Sequence, residues 1–123
     1  MKHIRSFFFI SLLLASSPLY AQASEAYMGQ FLYQYEGGTV YRVTVNDAKS
    51  MAWKCIAGSE KGAHGMETPE RIKVDENIYF ATWREKTGIN VTQVIDLKNM
   101  KVYSTIIDGK ERYVLSGKIV REK

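Results

Sequence analysis

The 123-residue sequence predicts an all-β domain, an antiparallel up-and-down meander of eight strands, on three observations. Apolar and polar residues alternate in short segments, the period of a half-buried strand. Clusters of turn-forming residues separate those segments at short intervals. Beyond the first 23 residues no long 3.6-residue periodicity marks a helix.

The eight expected strands cover residues 30–35, 40–45, 50–56, 70–74, 78–83, 89–96, 101–107 and 112–120. Gly37-Gly38 and Asp108-Gly109 supply the positive φ angles of tight hairpins. Asn46-Asp47, Asp75-Glu76-Asn77 and Lys98-Asn99 are polar turn clusters, and Gly88 punctuates the join after Glu85. Pro18 and Pro69 both fall outside strand interiors, as ladder hydrogen bonding requires. The longest irregular stretch, 58–65, holds three glycines and reads as a mobile loop, at a barrel mouth or at a plain hairpin tip. Tyr27 to Gly29 form a short plug or a helical turn before the first strand. An eight-stranded meander either leaves two edges open or closes around side chains or one small ligand. A sandwich needs a long crossover, and none is evident.

The start of the chain has the pattern of a cleavable signal peptide over residues 1–23, preceding a barrel domain over 24–123. Lys2 and Arg5 give the positive start, Phe7 to Leu14 the apolar run, and Ala21-Gln22-Ala23 the small-residue cleavage site. At about 10 residues that run is too short to cross a bilayer as a helix, so export to the periplasm or beyond is expected, without stable membrane insertion. Cleavage removes two cations and lowers the net charge from +4 to +2, which is ordinary solubility and not a nucleic-acid footprint. Cys55 is the only cysteine, so no internal disulfide is available and the thiol is expected to be buried and inert.

Most chemistry is excluded by what is missing. There is no phosphate-binding glycine motif. His64, the one histidine beyond the signal segment, has no companion ligands for a metal and sits in a glycine-rich stretch unsuited to a catalytic triad. Asn90-Val91-Thr92 matches a glycosylation sequon and reads as an exposed strand residue.

What remains is a set of polar and aromatic residues spaced two apart. Tyr33 and Tyr35 share a face; so do Tyr79, Ala81, Trp83 and Glu85. On the third strand Ala52, Lys54 and Ile56 oppose Met51, Trp53 and Cys55, and pattern alone leaves open which set faces the lumen. If Tyr33, Lys54 and Glu85 point inward, two phenols, an ammonium and a carboxylate meet in an aromatic cavity suited to a small aromatic or anionic molecule. Otherwise Lys54 and Glu85 are exterior or rim charges.

Three segments carry a resemblance: Tyr33-Gln34-Tyr35-Glu36-Gly37-Gly38, residues 50–58, and residues 78–92 with the Trp83-x-Glu85-x-x-Gly88 core. Together they resemble the MoaF-like family of lipocalin-like (calycin-type) barrels and, more distantly, phenolic acid decarboxylase. The resemblance implies a lipocalin-like barrel. From the decarboxylases it implies a cofactor-independent lyase without metal, with Glu85 in proton transfer, Tyr33 and Tyr35 orienting a phenolic acid, and Lys54 standing where those enzymes carry an arginine. Lysine keeps the charge and loses the bidentate fork. Three functions follow as expectations. One is a small-ligand-binding barrel lined by Tyr33, Tyr35, Lys54, Tyr79, Trp83 and Glu85. The second is the lyase. The third is an envelope interaction protein that uses an apolar exterior around Met51 and Trp53. Oligomeric state is not legible.

Overall fold

The structure is a computed structural model that describes residues 27–122, so the expected signal peptide lies outside the described residues. Nine strands follow in order: β1 Gly29–Tyr35, β2 Val40–Val45, β3 Met51–Ala57, β4 His64–Glu67, β5 Glu70–Asp75, β6 Ile78–Arg84, β7 Asn90–Asp96, β8 Lys101–Asp108 and β9 Glu111–Arg121. All pair antiparallel in one sheet with the order β4-β3-β2-β1-β9-β8-β7-β6-β5.

The central seam joins β1 to β9, from Phe31 opposite Arg121 to Tyr35 opposite Gly117. It fuses two meanders, β1–β4 and β5–β9, and curls the sheet into a barrel-like shape. The two free edges, β4 and β5, are consecutive in sequence and linked only through Thr68 and buried Pro69. Across that opening the Arg71 guanidinium donates to the carbonyls of Ala48 and Asp47 at 2.8 and 3.3 Å, tying β5 to the β2–β3 turn.

The all-β antiparallel expectation holds, with one strand more than the alternation predicts. β4 begins at the end of the stretch expected to be irregular and runs two residues beyond it. Gly58 and Gly62 adopt φ of 107° and 98°, which turns the chain back on β3. The turn is held by Cys55 N–H to the Ala63 carbonyl at 2.8 Å and Gly62 N–H to the Cys55 carbonyl at 2.9 Å. His64–Glu67 then pair with Met51–Lys54. A four-residue strand with a glycine inside it carries too little alternation to be seen in the sequence.

Inward-facing residues separate into two zones along the barrel. At one end Phe31, Val45, Tyr79, Ala81, Ile95, Val102 and Ile119 pack as a solid core. Of the two expectations for this segment the plug is the one formed: the Tyr27 ring lies 5.1 Å from Tyr79 and 5.5 Å from Phe31, with the Arg71 guanidinium 5.0 Å above it. Its hydroxyl bonds that of Tyr33 at 2.6 Å. The opposite end is open.

Candidate functional site

Four connections meet at the open end: the β1–β2, β3–β4, β6–β7 and β8–β9 turns. Below them lies a cavity of about 340 Å³, the size of a pocket for one small molecule. Tyr33, Tyr35, Trp83 and Glu85, all expected at a site, line it.

Two expected residues do not. Lys54 is exposed on the outer face of β3. Directly paired residues of neighbouring strands share a face, and Lys54 pairs with Arg42, which forms an exterior ion pair with Glu122 at 2.9 Å. Met51 and Trp53 pair with the inward Val45 and Val43, which turns them into the barrel. The expected outer patch around Met51 and Trp53 is therefore not formed; both side chains line the cavity. Tyr79 does face inward, but at the closed end against Tyr27, below the cavity. Cys55 is fully buried, its thiol 3.1 Å from the Ala57 carbonyl.

The wall is aromatic. Tyr41 stands edge-on to Trp53 and to Tyr35, with ring centroids 5.7 and 6.0 Å apart. Each polar handle of the upper aromatics is taken by a carboxylate. Tyr41 Oη donates to Glu60 at 3.0 Å, Trp53 Nε1 to Glu67 at 2.9 Å and Trp83 Nε1 to Glu85 at 3.2 Å. A Cβ on Gly65 would sit 2.9 Å from Trp53 Nε1 and 3.0 Å from the Glu67 carboxylate, so the absent side chain leaves room for that bond.

The floor is polar. Tyr35 Oη bonds Ser104 Oγ at 2.7 Å and accepts from Gln93 Nε2 at 3.2 Å. Gln93 is only 7% exposed, and its Oε1 has no hydrogen-bond partner among the described residues. A buried acceptor left unpaired costs stability, so a ligand donor reaching it is favoured. Burial raises the Tyr35 phenol to about 12 against the opposing bonds from Ser104 and Gln93, so it stays neutral at physiological pH. Burial likewise raises Tyr33, next to Tyr27.

The mouth is acidic. Glu36, Glu60 and Glu85, from three of the connections, and Asp108, at the end of β8, line it, and no lysine or arginine does among the described residues. Glu85 is held above the usual carboxylate range, first by desolvation and then by the charges of Glu67 and Glu60, against the Trp83 bond. Burial and the Glu60 charge push Tyr41 upward as well.

Gln93, Ser104, Tyr41 and Glu60 were not among the expected site residues. Gln93 and Ser104 did leave a signal, as polar residues inside apolar alternations, Val91-x-Gln93-x-Ile95 and Val102-x-Ser104-x-Ile106. Glu60 left none, being one polar residue in a turn.

A curled antiparallel sheet, plugged at one end and hollow at the other, defines a barrel with an interior pocket. A family model described as MoaF-like matches residues 28–120, and the chain belongs to that family. Among solved structures it is similar to a protein from Burkholderia vietnamiensis described as a candidate beta-lactamase, with TM-score 0.72 and 17% identity. That match covers 76% of this chain and 92% of the other, and at such identity it speaks for the fold alone. Comparison with curated proteins returned no match.

Proposed function

We propose that this chain is an exported barrel that binds one small aromatic molecule in its open-ended cavity. The observation that carries the reading is the pairing of an aromatic wall, Tyr41, Trp53 and Trp83, with the unpartnered Gln93 Oε1 on the floor. A flat apolar body fits the wall, and a hydroxyl or N–H group answers the amide oxygen. Export is supported by the charged, apolar and small-residue pattern of residues 1–23. Trp53 and Trp83 both line the cavity, so their fluorescence reports occupancy. Phenol-bearing molecules such as 4-hydroxyphenylethanol are expected to quench it saturably, and Gln93→Leu to weaken that binding. Native mass spectrometry of protein purified from its own host should retain a small molecule. Fluorescence indifferent to every aromatic probe, with no retained mass, refutes the reading.

The decarboxylase reading has one observation in its favour, the raised Glu85 carboxyl, which suits a proton donor. It lacks the cation that would grip a substrate carboxylate, since Lys54 lies outside the barrel. Loss of the hydroxycinnamate chromophore on incubation, abolished by Glu85→Gln, would establish it.

A further inference from the structure

The charge of the cavity selects among aromatic ligands. We propose that the site takes a small aromatic amine, its ammonium held by the acidic mouth and a donor at its other end bonded to Gln93 Oε1. This rests on the binding reading above and names the ligand class.

Three observations converge. First, Glu36, Glu60 and Glu85 from three separate connections and Asp108 from the end of β8 line the mouth, without a lysine or arginine in the lining among the described residues. The lysines of the same turns, Lys61, Lys86 and Lys110, are exposed and outside the cavity lining. The acidity is thus local, in a chain whose overall charge is positive. Second, carboxylates accept hydrogen bonds from Tyr41, Trp53 and Trp83. Those bonds occupy the polar N–H and O–H ends of three aromatic residues that line the cavity, and aromatic rings in such a wall attract an organic cation. Third, Gln93 Oε1 is buried and accepts no hydrogen bond among the described residues, so the deep end asks for a donor, not an acceptor.

An anionic ligand meets the opposite field. Its carboxylate would enter past four acids and find no cation, and the desolvated Glu85 would be raised further. An ammonium instead relieves the mutual repulsion that already raises Glu85 beside Glu60 and Glu67. The cavity volume of about 340 Å³ suits one ring with a short side chain.

Three probes of one shape test the charge: tyramine, 4-hydroxyphenylethanol and 3-(4-hydroxyphenyl)propionate, titrated into the purified protein by calorimetry and tryptophan fluorescence. Tyramine is expected to bind about tenfold tighter than the alcohol, and the acid weakest of the three. Raising salt should narrow the gap. In Glu60→Gln/Glu85→Gln the tyramine-to-alcohol ratio should collapse toward one. Phenethylamine, which lacks the phenol, should bind more weakly than tyramine in the parent protein but equally in Gln93→Leu. If the alcohol or the acid binds as tightly as tyramine, the amine inference falls while the binding reading stands. If none of the probes binds, the binding reading falls and the inference with it.

Discussion

Replacing Gly117 by alanine puts a methyl group into the β1–β9 seam. A Cβ built there lies 2.6 Å from the Gln34 carbonyl oxygen and 3.0 Å from Tyr35 Cα, both backbone atoms of β1. No rotamer relieves such a clash; the strands must part by several tenths of an ångström. Gly117 pairs with Tyr35 on one side and Val102 on the other, so the displacement strains two ladders. Overpacking of this kind costs about 1–3 kcal/mol, while the lower chain entropy of alanine returns about 0.5–1 kcal/mol. The net loss is about 1 kcal/mol and at most about 2.5 kcal/mol, a fall in Tm of roughly 4–8 °C per kcal/mol for a domain of this size. Urea titration followed by tryptophan fluorescence should show a lower midpoint at unchanged slope. Ser116→Ala, one residue away and turned to the opposite face, should change stability by less than about 0.5 kcal/mol. A Gly117→Ala protein as stable as its parent would refute the close-approach argument.

Tyr27→Phe leaves the buried Tyr33 hydroxyl without its 2.6 Å partner and should cost about 1–3 kcal/mol. The Tyr27→Phe/Tyr33→Phe double variant should lose less than the sum of the single changes in a denaturation cycle. Glu85 has a folded-state pKa above its unfolded value, so the fold binds its proton more tightly and its contribution to stability falls as pH rises through the folded pKa. Glu85→Gln should therefore be at least as stable as the parent above that pKa, with a flatter melting profile as pH rises from the ordinary carboxylate range through the raised folded value. Lys54→Ala, on the exposed outer face, should alter stability by less than about 0.5 kcal/mol and leave the binding of tyramine unchanged in calorimetry.

The strand pattern was largely written in the residues, because alternation and turn chemistry are local. The orientation of β3 was not. Met51, Trp53 and Cys55 on one face and Ala52, Lys54 and Ile56 on the other are both partly apolar, so periodicity does not choose between them. Pairing decides it, through Val43 opposite Trp53 and Arg42 opposite Lys54, and pairing is a long-range property. Depth along the barrel was equally hidden. Tyr79 and Trp83 share a face of β6, yet one packs against the plug and the other lines the cavity. The acidic mouth arises because turns distant in sequence come together, so single carboxylates in separate loops acquire a common role only after folding.

The seam between β1 and β9 also governs when the fold can form. Phe31 and Tyr33 cannot meet their second neighbours until Arg121 and Ile119 have been synthesised, some of the longest-range contacts the chain contains. Both meanders can assemble from local hairpins, but their union pays the loop-closure cost of nearly the whole domain. Closure is therefore expected late, on a millisecond-to-second scale, with the β1 edge unpaired until then. A nascent chain stalled before β9 would leave both β1 and β8 without a neighbour and present those two edges to other chains.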